Sequence, residues 1–169
     1  MKDLAIYLND HLAGSIGAVE MVEDLIETHQ GKPLERFLRA LLEDIQSDQD
    51  DLRSLMDGLG VKESKVRKAG AWMAEKASRL KLRMADSGEA NLALFQSLET
   101  LSIGIMGKRL LWRTLEATIA ATVREVGLDL ARLERRAAEQ FERVEKELFR
   151  IARQIFVKEI HGKSKSGEG

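Results

Sequence analysis

With no cysteine and only three histidines, this chain has few residues able to do chemistry, so their positions decide which of them matter. Several polar side chains fall where a repeating apolar stripe should continue. His11 lies beside Leu8 and Leu12, and Asp48 stands between Ile45 and Leu52 with Asp44 and Asp51 on either side. Glu99 adjoins Leu98, and Lys108 stands between Ile105 and Trp112. Arg136 and Gln140 fall at or beside the stripe that carries Leu133, Ala137 and Val144. An unpaired polar group costs on the order of several kcal/mol to bury, so each of these is expected to meet a partner.

Inward carboxylates and histidines are how helical bundles hold paired metal ions. The di-iron form takes a glutamate from each of two helices and a Glu-x-x-His pair from each of the other two, and no Glu-x-x-His occurs here. His29 and His161 fall at a helix end and near the tail, where exposure is expected, which leaves His11. Acidic residues that face basic ones need no cation. The favoured expectation is therefore a buried network in which Lys108 and Arg136 neutralise Asp48 and Glu99, while His11 and Gln140 complete the hydrogen bonds. An iron or manganese site built from Glu99, Asp48 and His11 is the lesser alternative. No residue is assigned a catalytic role, and no cofactor is favoured.

The elements that must position these residues are helical. Leu4, Leu8, Leu12, Val19, Val22 and Ile26 recur at three-and-four spacing, the signature of one apolar helix face. Gly31 suits a helix end, and Pro33, the only proline, suits the first turn of the next helix. A second helix carries Leu34, Leu38, Leu41, Ile45, Leu52 and Leu55 and breaks at Gly58 and Gly60. A shorter basic helix is expected from Ser64 to about Asp86. A long one runs from about Asn91 to Val123, with Gly127 closing it, and Asp129 caps a last helix running to Ile155.

No period-two run and no fixed-length repeat is visible, so the fold class is all-α. Two hairpins of long helices joined by a connection that holds the basic helix give a four-helix bundle with one crossover. Residues 1–161 form a single domain on this reading, and the tail, residues 162–169, is disordered. An up-and-down bundle of five helices is the runner-up.

Residues 7–15 (YLNDHLAGS) and 97–112 (SLETLSIGIMGKRLLW) resemble the ferritin-like superfamily, and in particular uncharacterised bacterial helix-bundle members of it. The resemblance spans about residues 4–156. It implies a ferritin-like bundle in which Glu99 stands where the third core helix supplies its glutamate. It also sets residues 44–51 and 136–140 against the two Glu-x-x-His segments. This sequence departs from the family at those segments, which argues against iron oxidation. The function expected is a non-catalytic bundle acting by binding or self-association, since a scaffold does not carry its family's chemistry with it.

Composition narrows the partners. Formal net charge is −1, from 27 basic and 28 acidic side chains, so the overall charge selects no partner. A basic stretch of Lys62, Lys65, Arg67, Lys68, Lys76, Arg79, Lys81 and Arg83 makes docking on nucleic acid or anionic lipid a second alternative. Acidic residues 43–57 just upstream favour an intramolecular or solvated role for it, so nucleic acid is not the expected partner. No run approaches the roughly 20 apolar residues of a membrane span, no export signal is read at the N-terminus, and the expected compartment is the cytoplasm. Ala13, Gly14, Gly17 and Ala18 form a row of small residues expected to admit a neighbouring helix closely, with Gly104 and Gly107 as its match; a homodimer seam is the lesser reading. The chemistry of any small-molecule ligand is left open.

Overall fold

The computed structural model describes residues 1–64, 90–157 and 160. Among them are four long helices and no strand: α1 (Lys2–Thr28), α2 (Pro33–Gly58), α3 (Ala90–Glu125) and α4 (Leu130–Ala152), the last passing into a π-helical turn, Arg153–Val157. The expected basic helix and the tail lie outside the described residues, and with them the choice between one crossover and five helices. No described helix is long and apolar enough to cross a membrane.

The helix boundaries follow from local chemistry. Gly31, at φ +74°, takes the left-handed backbone that ends α1, and Pro33 opens α2 with its fixed φ and missing N–H. Asp129 caps α4 by accepting from the Arg132 N–H at 3.0 Å. α2 ends at Gly58, and Gly60, at φ +66°, takes the left-handed backbone that turns the chain out of it. A Cβ at Gly58 would lie 2.5 Å from a Val126 methyl, so glycine lets the end of α2 press against the α3–α4 turn. α3 bends at Ile119, where the backbone leaves helical geometry at φ −130° and ψ 30°.

α1 pairs with α2 and α3 pairs with α4; α1 also packs on α3, and α2 on α4. The core is divided in two. One cluster joins the C-terminal half of α1 (Val22, Leu25) to the N-terminal halves of α2 (Leu38, Leu41) and α3 (Leu94, Leu98) and the C-terminal half of α4 (Val144, Ile151). The other joins the opposite halves, including Leu8, Leu55, Trp112 and Leu133. It follows that α2 and α3 run parallel on one diagonal of the bundle. α2 ends at one end of the bundle and α3 begins at the other.

Asn9 pins the start of the connection between them. Its side-chain oxygen accepts from the Ser64 N–H at 2.6 Å, and its amide nitrogen donates to the Lys62 carbonyl at 3.2 Å. Arg53 adds an ion pair to Glu63 at 3.2 Å.

Candidate functional site: a polar waist between two cores

Between the two apolar clusters the stripes on α2, α3 and α4 turn polar at the same level, at Asp48, Lys108 and Gln140. Asp48 is the hub, 3% exposed. Its Oδ2 accepts from the Lys108 ammonium and from the Gln140 amide nitrogen at 2.8 Å. Its Oδ1 accepts from Arg136 Nε at 2.6 Å and from Arg136 Nη2. Gln140, fully buried, is oriented by its neighbours: its oxygen faces the ammonium and its nitrogen the carboxylate.

Arg136 reaches further, to Asp51 at 2.5 Å and to the Ser47 hydroxyl at 3.2 Å. Two carboxylates thus meet two cations, and the waist is neutral as a whole. Burial pushes the Lys108 amine below its ordinary value, an effect that Asp48 opposes and Arg136 reinforces. A second polar chain runs beside this one. Arg53 donates to Gln49 at 2.8 Å, Gln49 to Ser15 at 2.9 Å, and Ser15 to the Leu12 carbonyl at 2.7 Å.

The structure thus brings together Asp48, Lys108, Arg136 and Gln140 from the expected set, and corrects two members. Glu99 does not enter the network; it is exposed. The inward register of α3 runs Leu94, Leu98, Leu101, Ile105, Lys108 and Trp112, whereas Glu99 follows the outer line of Ile103 and Leu110, which are 59% and 52% exposed. Apolar residues on that outer line made Glu99 look like an interruption of the core. His11 is half-buried but makes no hydrogen bond to the hub. Its ring meets Tyr7 edge-on at 4.7 Å and 81°. Burial lowers its pKa, with Asp10 acting in the opposite sense. His29 is half-buried rather than exposed, its Nδ1 2.8 Å from the Leu25 carbonyl. His161 lies outside the described residues.

Of the small residues, Ala13 and Gly17 are buried, whereas three glycines behave otherwise than expected. A Cβ added at Gly14, Gly104 or Gly107 would meet nothing within 4 Å. These positions do not bring helices together. With Ala18 they leave a cleft of about 250 Å³ between α1, α2 and α3, walled by Ile45, Leu52, Leu101 and Trp112 and bordered by His11, Asp48 and Lys108. Trp112 is buried, and its indole N–H has no acceptor among the described residues.

The donor set does not fit a metal centre of the kind the resemblance would bring. Both oxygens of Asp48 already face fixed cations, Glu99 points away, and among the described residues no three His, Asp or Glu side chains converge. The missed members, Asp51, Ser47 and Gln49, lie on α2 one residue or one turn from Asp48, so the density of polar residues there was the available signal. No known protein family, curated protein or solved structure matches the chain.

Proposed function

We propose that this protein is a non-catalytic ferritin-like bundle that acts by binding, taking its ligand into the cleft beside the polar waist. The observation that carries the reading is the ion-paired hub. Asp48, at the level where a ferritin-like bundle would place metal ligands, is held by Lys108, Arg136 and Gln140, and the space next to it is open. The ferritin-like part is supported by helix direction: two antiparallel hairpins, with α2 and α3 parallel across the diagonal.

Arg136 and Lys108 supply fixed positive charge where metal ions would need carboxylates alone. The metal-dependent reading also loses Glu99 to the outer surface.

Purified protein is expected to carry no stoichiometric iron or manganese, and adding Fe(II), Mn(II) or Zn(II) to it is expected to leave the melting temperature unchanged. One or more metal ions per chain, lost in Asp48→Asn, would overturn the reading.

A further inference from the structure

We infer that the cleft at the waist takes a small, neutral, largely apolar molecule that presents one hydrogen-bond acceptor to the Lys108 ammonium. This deepens the binding role proposed above and rests on it.

Size comes first. A 150 Å³ apolar cavity in a protein interior accommodates benzene, so about 250 Å³ suits a substituted single ring or an alicyclic skeleton of similar bulk. The space is built into the sequence, because glycine at 14, 104 and 107 leaves unfilled the volume that any larger side chain would occupy. Its walls are mainly aliphatic and aromatic, from Ile45, Leu52, Leu101 and Trp112.

Charge comes next. A ligand carboxylate would add a negative charge to a waist whose acids and bases already balance, and Asp10 also borders the cleft. A ligand cation would face the Lys108 ammonium. Desolvation penalises either ion, so a neutral molecule fits best.

The acceptor follows from counting donors. An ammonium has three N–H groups, and that of Lys108 uses two, on Asp48 and Gln140. The third has no protein acceptor among the described residues, and Lys108 lies on the wall of the cleft. The Ser15 hydroxyl donates to Leu12 and accepts from Gln49, and the Gln49 oxygen accepts from Arg53, which leaves Gln49 one further amide N–H. Trp112 lies in the same wall, and its buried indole N–H, which has no acceptor among the described residues, reports on the cleft.

Acetophenone, isopropylbenzene and benzoate share one skeleton and differ in the relevant property: neutral acceptor, no acceptor, and anion. Each is titrated into the intact protein while the indole N–H resonance of Trp112 is followed by NMR, with the Trp112→Phe variant identifying the signal. Acetophenone should bind saturably, and about tenfold more tightly than isopropylbenzene, in line with one hydrogen bond to a charged donor. Benzoate should bind more weakly than acetophenone. Gly104→Leu, which fills the cleft, should abolish acetophenone binding; Gly107→Leu provides the same test if the first variant does not fold.

Equal affinity for acetophenone and isopropylbenzene would overturn the acceptor assignment, and tighter binding of benzoate would overturn neutrality. Acetophenone binding that survives in a folded cleft-filling variant would overturn the site. Absence of saturable binding overturns the ligand class alone, whereas stoichiometric metal lost in Asp48→Asn overturns the parent reading.

Discussion

Lys108 on α3 and Asp48 on α2 are joined across a diagonal of the bundle, between helices that do not otherwise pack closely. A lysine stem spans the distance and carries its charge to a carboxylate 3% exposed. The contact ties the two hairpins together at the level where the apolar core is interrupted. Arg136 and Gln140 then close the arrangement from α4.

Removing the lysine charge leaves Asp48 with Arg136 and Gln140 alone. Lys108→Met should lower stability at neutral pH by about 2–3 kcal/mol, somewhat less than for a carboxylate stripped of every partner. Adding Asp48→Asn should recover part of that loss, because Asp48 and Asp51 then no longer share Arg136 as their one cation and the excess negative charge is removed. Glu99→Gln, on the outer face, should change stability by no more than about 0.5 kcal/mol. Chemical denaturation of the variants measures all of these. A cost at Glu99 comparable to that at Lys108 would contradict the geometry.

Acid should weaken the fold through His11. Its folded pKa lies below the ordinary 6.5 because burial disfavours the imidazolium. Between the folded and unfolded values the unfolded chain binds more protons, so stability rises with pH through that window and levels off near 6.5. His29 is shifted in the same direction, chiefly by burial. Unfolding followed from neutral pH downwards should show a loss below 6.5 that shrinks in His11→Gln and in His29→Gln, and nearly vanishes in the double variant until carboxylates titrate.

The glycines should separate into two kinds. Gly107→Ala places a methyl group in open space inside a helix and should stabilise by about 0.5–1 kcal/mol. Gly58→Ala, at the last residue of α2, drives a methyl group into Val126 and should destabilise. Thermal melts of the two variants should shift in opposite directions.

Asn9 should act as the anchor of the connection after α2. Asn9→Ala leaves the Ser64 N–H and the Lys62 carbonyl without their side-chain partner, at a cost of about 1 kcal/mol. The clearer readout is local: trypsin cleavage after Lys62 should speed up well before global unfolding.

Much of the fold could be read from the chain because helices declare themselves locally. The three-and-four spacing of Leu8, Leu12, Leu38 and Leu98, the φ of Pro33 and the cap at Asp129 depend on neighbours a few residues away. Asp48, Lys108 and Gln140 were legible for the same reason: each occupies an apolar register position. Register also misled at Glu99, since exposed Ile103 and Leu110 give the outer face of α3 an apolar appearance that composition cannot distinguish from core.

Only the tertiary structure decided which of these groups meet. That Lys108 pairs with Asp48 rather than Glu99, and that Arg136 also reaches Asp51, depends on how helices distant in sequence are rotated about their axes. The small residues show this most clearly. Gly14, Gly104 and Gly107 are as consistent with tight packing as with a cavity while only the chain is considered. The separation between α1 and α3 is what leaves them facing open space. A pattern along one helix can specify a face, but the width of the gap that face looks into is set by every other side chain that holds the helices apart.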